Sequence, residues 1–249
     1  MSGERYTVMT YIMGNYERVH EVKWKSTRAR YLLITDREDI QSQTWEVICD
    51  KTLTGSAINR TRFVKWHPWN YTADDVVVII DGSIGVDKPL DDIIEAFDNH
   101  DLCMMIHPER NTVKSEIEAW QQWRGLDADS AYRQLSIMEM TGYGLNGYRG
   151  LYQCCFKIMR RTPAVQMYIE TVAGLLILCG KNSEYATPEQ VIASFVLNKF
   201  FNRLPVLWVS ENLVNSQYLT WYYHNSDIRI AHKKLIEPYA FNKPVKVWI

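Results

Sequence analysis

The hydrophobic pattern changes period along the chain, and each change marks an element. Tyr6-Thr7-Val8-Met9-Thr10-Tyr11-Ile12, inside residues 5–13, partly alternates and predicts a first strand, after which Gly14-Asn15-Tyr16 turns the chain. Residues 30–36 give a second strand that ends in an acid, Asp36, and residues 45–49 a shorter third. Residues 56–66 hold no Pro or Gly and stop before Pro68, which predicts a helix. The clearest signal follows: Val76-Val77-Val78-Ile79-Ile80, five β-branched apolar residues in a row, closed by Asp81 and Gly82. A continuous apolar run bounded by turn residues predicts a strand buried on both faces, at the centre of a parallel or mixed sheet.

Beyond it the period returns to that of helices and short strands. Residues 89–97 predict a helix with Pro89 near its first turn, and residues 102–106 a buried strand closed by His107-Pro108. Residues 113–123 and 129–140 predict two helices. The glycines and tyrosines of residues 142–150 predict a loop with the composition of a lid. A strand over 150–159 and a long apolar helix over 163–179 come next. Thr187-Pro188-Glu189-Gln190 has the form of an approximate capping box opening a helix that runs through Phe201. Residues 204–209 predict a last strand, and the tail from Gln217 carries Trp221, Tyr222, Tyr223, His224 and His232. Strand, helix and strand in succession predict an α/β fold, a doubly wound sheet flanked by helices, as one domain over residues 1–249.

Composition narrows the function classes. With 47% hydrophobic residues the chain can bury a large core, and with 28 basic against 29 acidic residues it lacks the clustered basic excess of a nucleic-acid binder. The N-terminus has no apolar leader, and the longest apolar stretch, near residues 172–179, is too short to span a bilayer. Cys49, Cys103, Cys154, Cys155 and Cys179 are odd in number and form no CxxC pair. They read as reduced thiols of a cytoplasmic protein, with peripheral attachment to a membrane left open.

The chemistry points to the strand ends. Open α/β sheets bind ligands at the carboxyl ends of their strands, where Tyr11, Asp36 and Asp81 lie. Tyr11 and Asp36 suit base stacking and a hydrogen bond to base or ribose, or else ordinary sheet-edge packing. Asp81 suits a metal or a sugar hydroxyl, or else a turn. No GxSxG, HExxH or Walker pattern is present, and the glycines of residues 142–147 follow a predicted helix instead of a strand, the wrong context for a dinucleotide-binding GxGxxG turn.

Several stretches taken in order resemble a known family: Tyr6-Thr7-Val8 with Asn15-Tyr16; Ile34-Thr35-Asp36; Asn59-Arg60 with Lys65, His67 and Pro68; Ile80-Asp81-Gly82; His107-Pro108-Glu109-Arg110 with Glu116; and Glu189-Gln190. They are similar to a family of bacterial and plant glycosyltransferases long described as a domain of unknown function, and more distantly to the glycogenin-like glycosyltransferases. The resemblance implies a GT-A type, Rossmann-like mixed sheet. It implies transfer of a hexose-type sugar from a nucleoside diphosphate-sugar, a UDP-sugar foremost, to a hydroxyl on a glycan, lipid or protein. Asp81, Gly82 and Ser83 stand where such enzymes carry a DxD element that holds Mn²⁺ or Mg²⁺, but the second acid is missing. Either Asp81 binds the ion with a distal ligand such as His224, or a basic residue takes the ion's place. Arg60 and Lys65 are implied as donor contacts. His107, Arg110 and Glu116 are assigned to the sugar or acceptor side, against an Arg110–Glu116 ion pair as competitor. Glu189 and Gln190 stand where the glycogenin-like enzymes place an Asp-Gln pair on the donor sugar, against a capping role. A non-catalytic carbohydrate- or nucleotide-binding protein is the alternative, and a hydrolase pairing Asp81 with Glu189 a third reading.

Overall fold

In the computed structural model the described residues are 4–124, 126, 128–143, 150–180, 189–214, 216–222, 225 and 247–248. The buried apolar run forms a strand, β4 (Val76–Ile80), by its position in chain order, and all five of its side chains are fully buried. Each such burial stabilises the fold by roughly 1.5–3 kcal/mol. Before it come β1 (Tyr6–Ile12), β2 (Ala29–Thr35), β3 (Glu46–Cys49) and α1 (Ala57–Trp66). Ser56 caps α1, its hydroxyl accepting from the Asn59 N–H. After it come β5 (Ile84–Val86), α2 (Asp91–Phe97), β6 (Leu102–Ile106), α3 (Val113–Arg124), α4 (Ala128–Met140), β7 (Tyr152–Arg160), α5 (Pro163–Gly180), α6 (Glu189–Phe200), β8 (Val206–Val209), β9 (Leu219–Trp221) and the two-residue β10 (Val247–Trp248).

The main sheet is mixed and mostly parallel, in the order β3-β2-β1-β4-β7-β6-β8, with β10 at the β8 edge. Among the described strands of this sheet only β7 runs against its neighbours, β4 and β6, and its register with β6 shifts at Met104/Met105. An α/β fold with a mixed sheet flanked by helices was expected and is found, with β7 as its antiparallel strand and the helices unequally distributed between the two faces. Met9, Tyr11, Leu32, Ile34, Val77 and Ile79 face a core built with α1, α3, α4, α5 and α6. The alternate residues, including Val8, Leu33, Val78 and Ile80, face a second core with α2. Ile84-Gly85-Val86, for which the sequence pattern predicted no element, forms β5 and pairs antiparallel with β9 over this second face.

Among the described residues no helix is long and apolar enough to cross a membrane. The expected capping residues Thr187 and Pro188 lie outside the described residues, as do 144–149 of the lid candidate and most of the tail. The two ends of that candidate are held. Gly142, at φ +72°, closes α4, and the Gly150 N–H donates to the Asn111 carbonyl at 2.9 Å.

Candidate functional site

From β1 the chain winds outward through β2 to β3, then returns through α1 to β4 on the other side of β1. Adjacent strands whose connections leave in opposite directions open a crevice at their carboxyl ends, the usual ligand position of such sheets. Tyr11 and Asp81 stand at that point. Gly82 is required there by the protein itself. A Cβ on Gly82 would lie 2.8 Å from the Tyr11 carbonyl oxygen, so the glycine serves the close approach of the β1 and β4 ends. Ser83 is buried, and its carbonyl accepts from the Tyr222 N–H at 2.9 Å.

Four side chains from four elements meet behind the crevice. Lys65, in the last turn of α1, puts Nζ 2.9 Å from Asp81 Oδ1 and pairs also with Glu189, in the first turn of α6. The Tyr11 hydroxyl donates to the same Asp81 oxygen, and Lys65 Nζ lies 5.8 Å from the Tyr11 ring centroid. The side chains are graded in exposure: Lys65 5%, Glu189 16% and Asp81 33%. Asp81 is thus the member that faces outward. Burial alone pulls the Lys65 ammonium down, but Asp81, then Glu189 and Tyr11, outweigh it and hold the group well above its ordinary value. Burial pushes the Glu189 carboxyl up, but Lys65, Lys157 and Arg62 overcome that and hold it below its ordinary value. Burial, then the Asp81 charge, raises the Tyr11 phenol.

Asp36 and Arg60 meet each other. Arg60 lies 2.7 Å from Asp36 Oδ2, while Asp36 Oδ1 accepts from the Gly14 N–H at 2.8 Å. This ties the loop after β1 to α1 and leaves Arg60 paired internally instead of open to a diphosphate. The His107 group also departs from its expected role. Glu116 is fully buried. Arg110 Nε, Trp120 Nε1 and Gln190 Nε2 all donate to its carboxylate. His107 Nδ1 accepts from the Glu109 and Arg110 N–H groups at 3.1 Å each, and its Nε2 lies 3.0 Å from the Arg110 guanidinium and 3.7 Å from Glu116 Oε2. A ligand cannot reach a carboxylate with no exposed surface, so the ion pair, not a sugar contact, describes Glu116. Gln190 belongs to this knot and Glu189 to the Lys65 pair, so the start of α6 joins the two networks.

A metal was one expectation. His224 lies outside the described residues. Among the described residues, no group of three or more His, Cys, Asp or Glu is placed to hold an ion. Asp81 Oδ1 already carries an ammonium and a phenol. These residues do not fit a two-carboxylate clamp, because Lys65 already supplies positive charge at the Asp81 carboxylate.

Two buried charges escaped the sequence reading. Glu17 is buried, its Cγ 3.4 Å from where a Gly82 Cβ would be, and it accepts from the Asn225 N–H at 2.6 Å. Lys157, on β7, is fully buried with Nζ 3.2 Å from the Trp66 ring centroid. Its signal was legible as a lysine inside the apolar run Cys154-Cys155-Phe156-Lys157-Ile158-Met159. Glu17 gave none, since an acid in a loop is ordinarily solvated. Compared with known proteins, the chain matches no protein-family model, and no curated sequence is similar to it at a significant level.

Proposed function

We propose that the chain is a glycosyltransferase of GT-A architecture that moves a sugar from a nucleoside diphosphate donor to a hydroxyl acceptor. The observation that carries this reading is the convergence of Tyr11, Lys65, Asp81 and Glu189 at the switch between β1 and β4. A donor seated there lays its nucleotide across the ends of β1 and β2 and its sugar toward Asp81. The outward Asp81 carboxylate accepts from a sugar hydroxyl. Lys65, held by two carboxylates, cannot swing away, so its charge is preorganised near the bond to the diphosphate. In the transfer, the bond from the anomeric carbon to the diphosphate oxygen breaks and its electron pair leaves on the diphosphate. A bond to the acceptor oxygen forms, and the acceptor's proton is released. Retention at the anomeric carbon accords with the glycogenin likeness, and an inverted product by NMR would refute it.

The internal pairing of Asp36 with Arg60 and of Asp81 with Lys65 favours a second reading, a binding protein on the same scaffold. A thermal-shift panel of UDP-, GDP- and CDP-sugars, each with and without Mn²⁺, tests the common core of both. One donor raises the melting temperature of the parent by mass action, and Asp81→Ala loses the shift. No shift with any donor would remove the nucleotide-sugar reading.

A further inference from the structure

Lys157 is an amine where folded proteins rarely leave one unpaired. It sits mid-strand in β7, level with Ile79 of β4 and Met104 of β6. Among the described residues its Nζ has no hydrogen-bond partner. Its near neighbour is the face of Trp66, which rewards an ammonium electrostatically but cannot replace three lost hydrogen bonds to water. Trp66 is backed edge-on by Tyr168 of α5, whose hydroxyl donates to the Ala193 carbonyl.

The ionisable groups acting on Lys157 are Cys154 on β7, Lys65 on α1, Glu189 on α6 and Asp81 after β4. Arg62 on α1 acts on Glu189 and Cys154 in the same cluster. Lys65 and Arg62 balance Asp81 and Glu189, and burial pushes the Cys154 thiol up to about 12, which keeps it neutral. The protonation of Lys157 therefore decides the net charge behind the crevice. Burial pushes this amine down to about 7, against a weaker pull from the nearby acids, so the free protein holds it partly neutral under physiological conditions.

We infer that Lys157 is a proton-uptake site coupled to the strand-end site, so that an anionic ligand docking at Asp81 is bound together with a solvent proton taken onto Lys157 Nζ. The inference rests on the donor reading above and adds its regulation. Negative charge brought to the strand ends is felt by the fully buried Lys157 through the protein interior, where an added proton offsets it. A nucleoside diphosphate-sugar is the suitable probe, because its diesterified diphosphate does not itself titrate near neutrality. Binding tightens as pH falls toward 7 and levels off below it.

The test uses the full chain and has two arms. In the first, the ¹³Cε signals of labelled lysines are titrated without ligand. One lysine titrates near neutrality and is absent from Lys157→Met, and a Lys157 that titrates in the ordinary lysine range overturns the inference. In the second, UDP-glucose, GDP-mannose and CDP-glucose are titrated calorimetrically at pH 7.5 in buffers of different protonation enthalpy. The donor that binds takes up about half a proton or more, and its affinity falls several-fold between pH 7 and pH 8.5. Lys157→Met binds it with no proton linkage. Binding without linkage, or with the same linkage in Lys157→Met, overturns the inference and leaves the donor reading standing. If no donor binds, the donor reading falls and the inference with it.

Discussion

Lys65 is where single side chains decide most. Removing its charge in Lys65→Met leaves Asp81 and Glu189 close together with no cation between them. Breaking a buried pair in this way costs about 3 kcal/mol, the lower end of the usual range, since Asp81 is one-third exposed. Urea denaturation should show that loss, with Lys65→Arg recovering part of it. The pH dependence follows from the direction of each shift. The Glu189 carboxyl is lowered in the fold, so its stabilisation is present above the ordinary value of 4.5 and disappears as pH falls through the depressed folded value. Glu189→Gln should remove that part of the acid limb of a stability-against-pH curve. Lys157 has the opposite consequence. Its amine is lowered from 10.5 to about 7, so the unfolded chain binds more protons in that window and stability climbs with pH across it. Lys157→Met should melt higher than the parent at pH 7, and the difference should shrink toward pH 10.5.

At the scale of elements, the start of α6 and the β1–β4 junction hold the site in shape. Glu116→Ala strips acceptors from Arg110, Trp120 and Gln190 together, leaving Arg110 without its buried partner. The expected loss is about 3 kcal/mol, with faster amide exchange spreading into α6 and reaching Glu189. Gly82→Ala drives a methyl against the Tyr11 carbonyl oxygen and should cost about 1–3 kcal/mol in a denaturation measurement. The elements themselves were legible in the sequence. The strand Val76–Ile80 followed from its unbroken apolar run, and the helix ending before Pro68 from the lack of Pro and Gly within it. The antiparallel course of β7 beside β4 and the pairing of β5 with β9 were not, because they join residues 76 to 137 positions apart and local pattern carries no trace of such partners. Positions at the strand ends were legible in the sequence, and an Arg110–Glu116 ion pair was among the readings it left open. Asp81, Lys65 and Glu189 stood out, but only the fold shows that Arg60 is taken by Asp36 and Glu116 by Arg110.

For the whole molecule, the topology matters more than any one motif. Among the described residues, one face of the sheet carries five helices, two of which deliver Lys65 and Glu189 to the same strand ends. The other face is covered by α2 and the small β5–β9 pair. The charged cluster of Lys65, Asp81 and Glu189 lies at the strand ends where the winding reverses. The central claim is that this cluster serves transfer of a sugar from a nucleotide. The most direct measurement is release of free nucleoside diphosphate from a panel of nucleoside diphosphate-sugars in water, with and without Mn²⁺, by the parent and by Asp81→Asn. Slow release from one donor by the parent, reduced about 100-fold in Asp81→Asn, is the predicted result. Tight binding of a donor with no release from it under any condition would contradict the claim and leave a binding protein in its place.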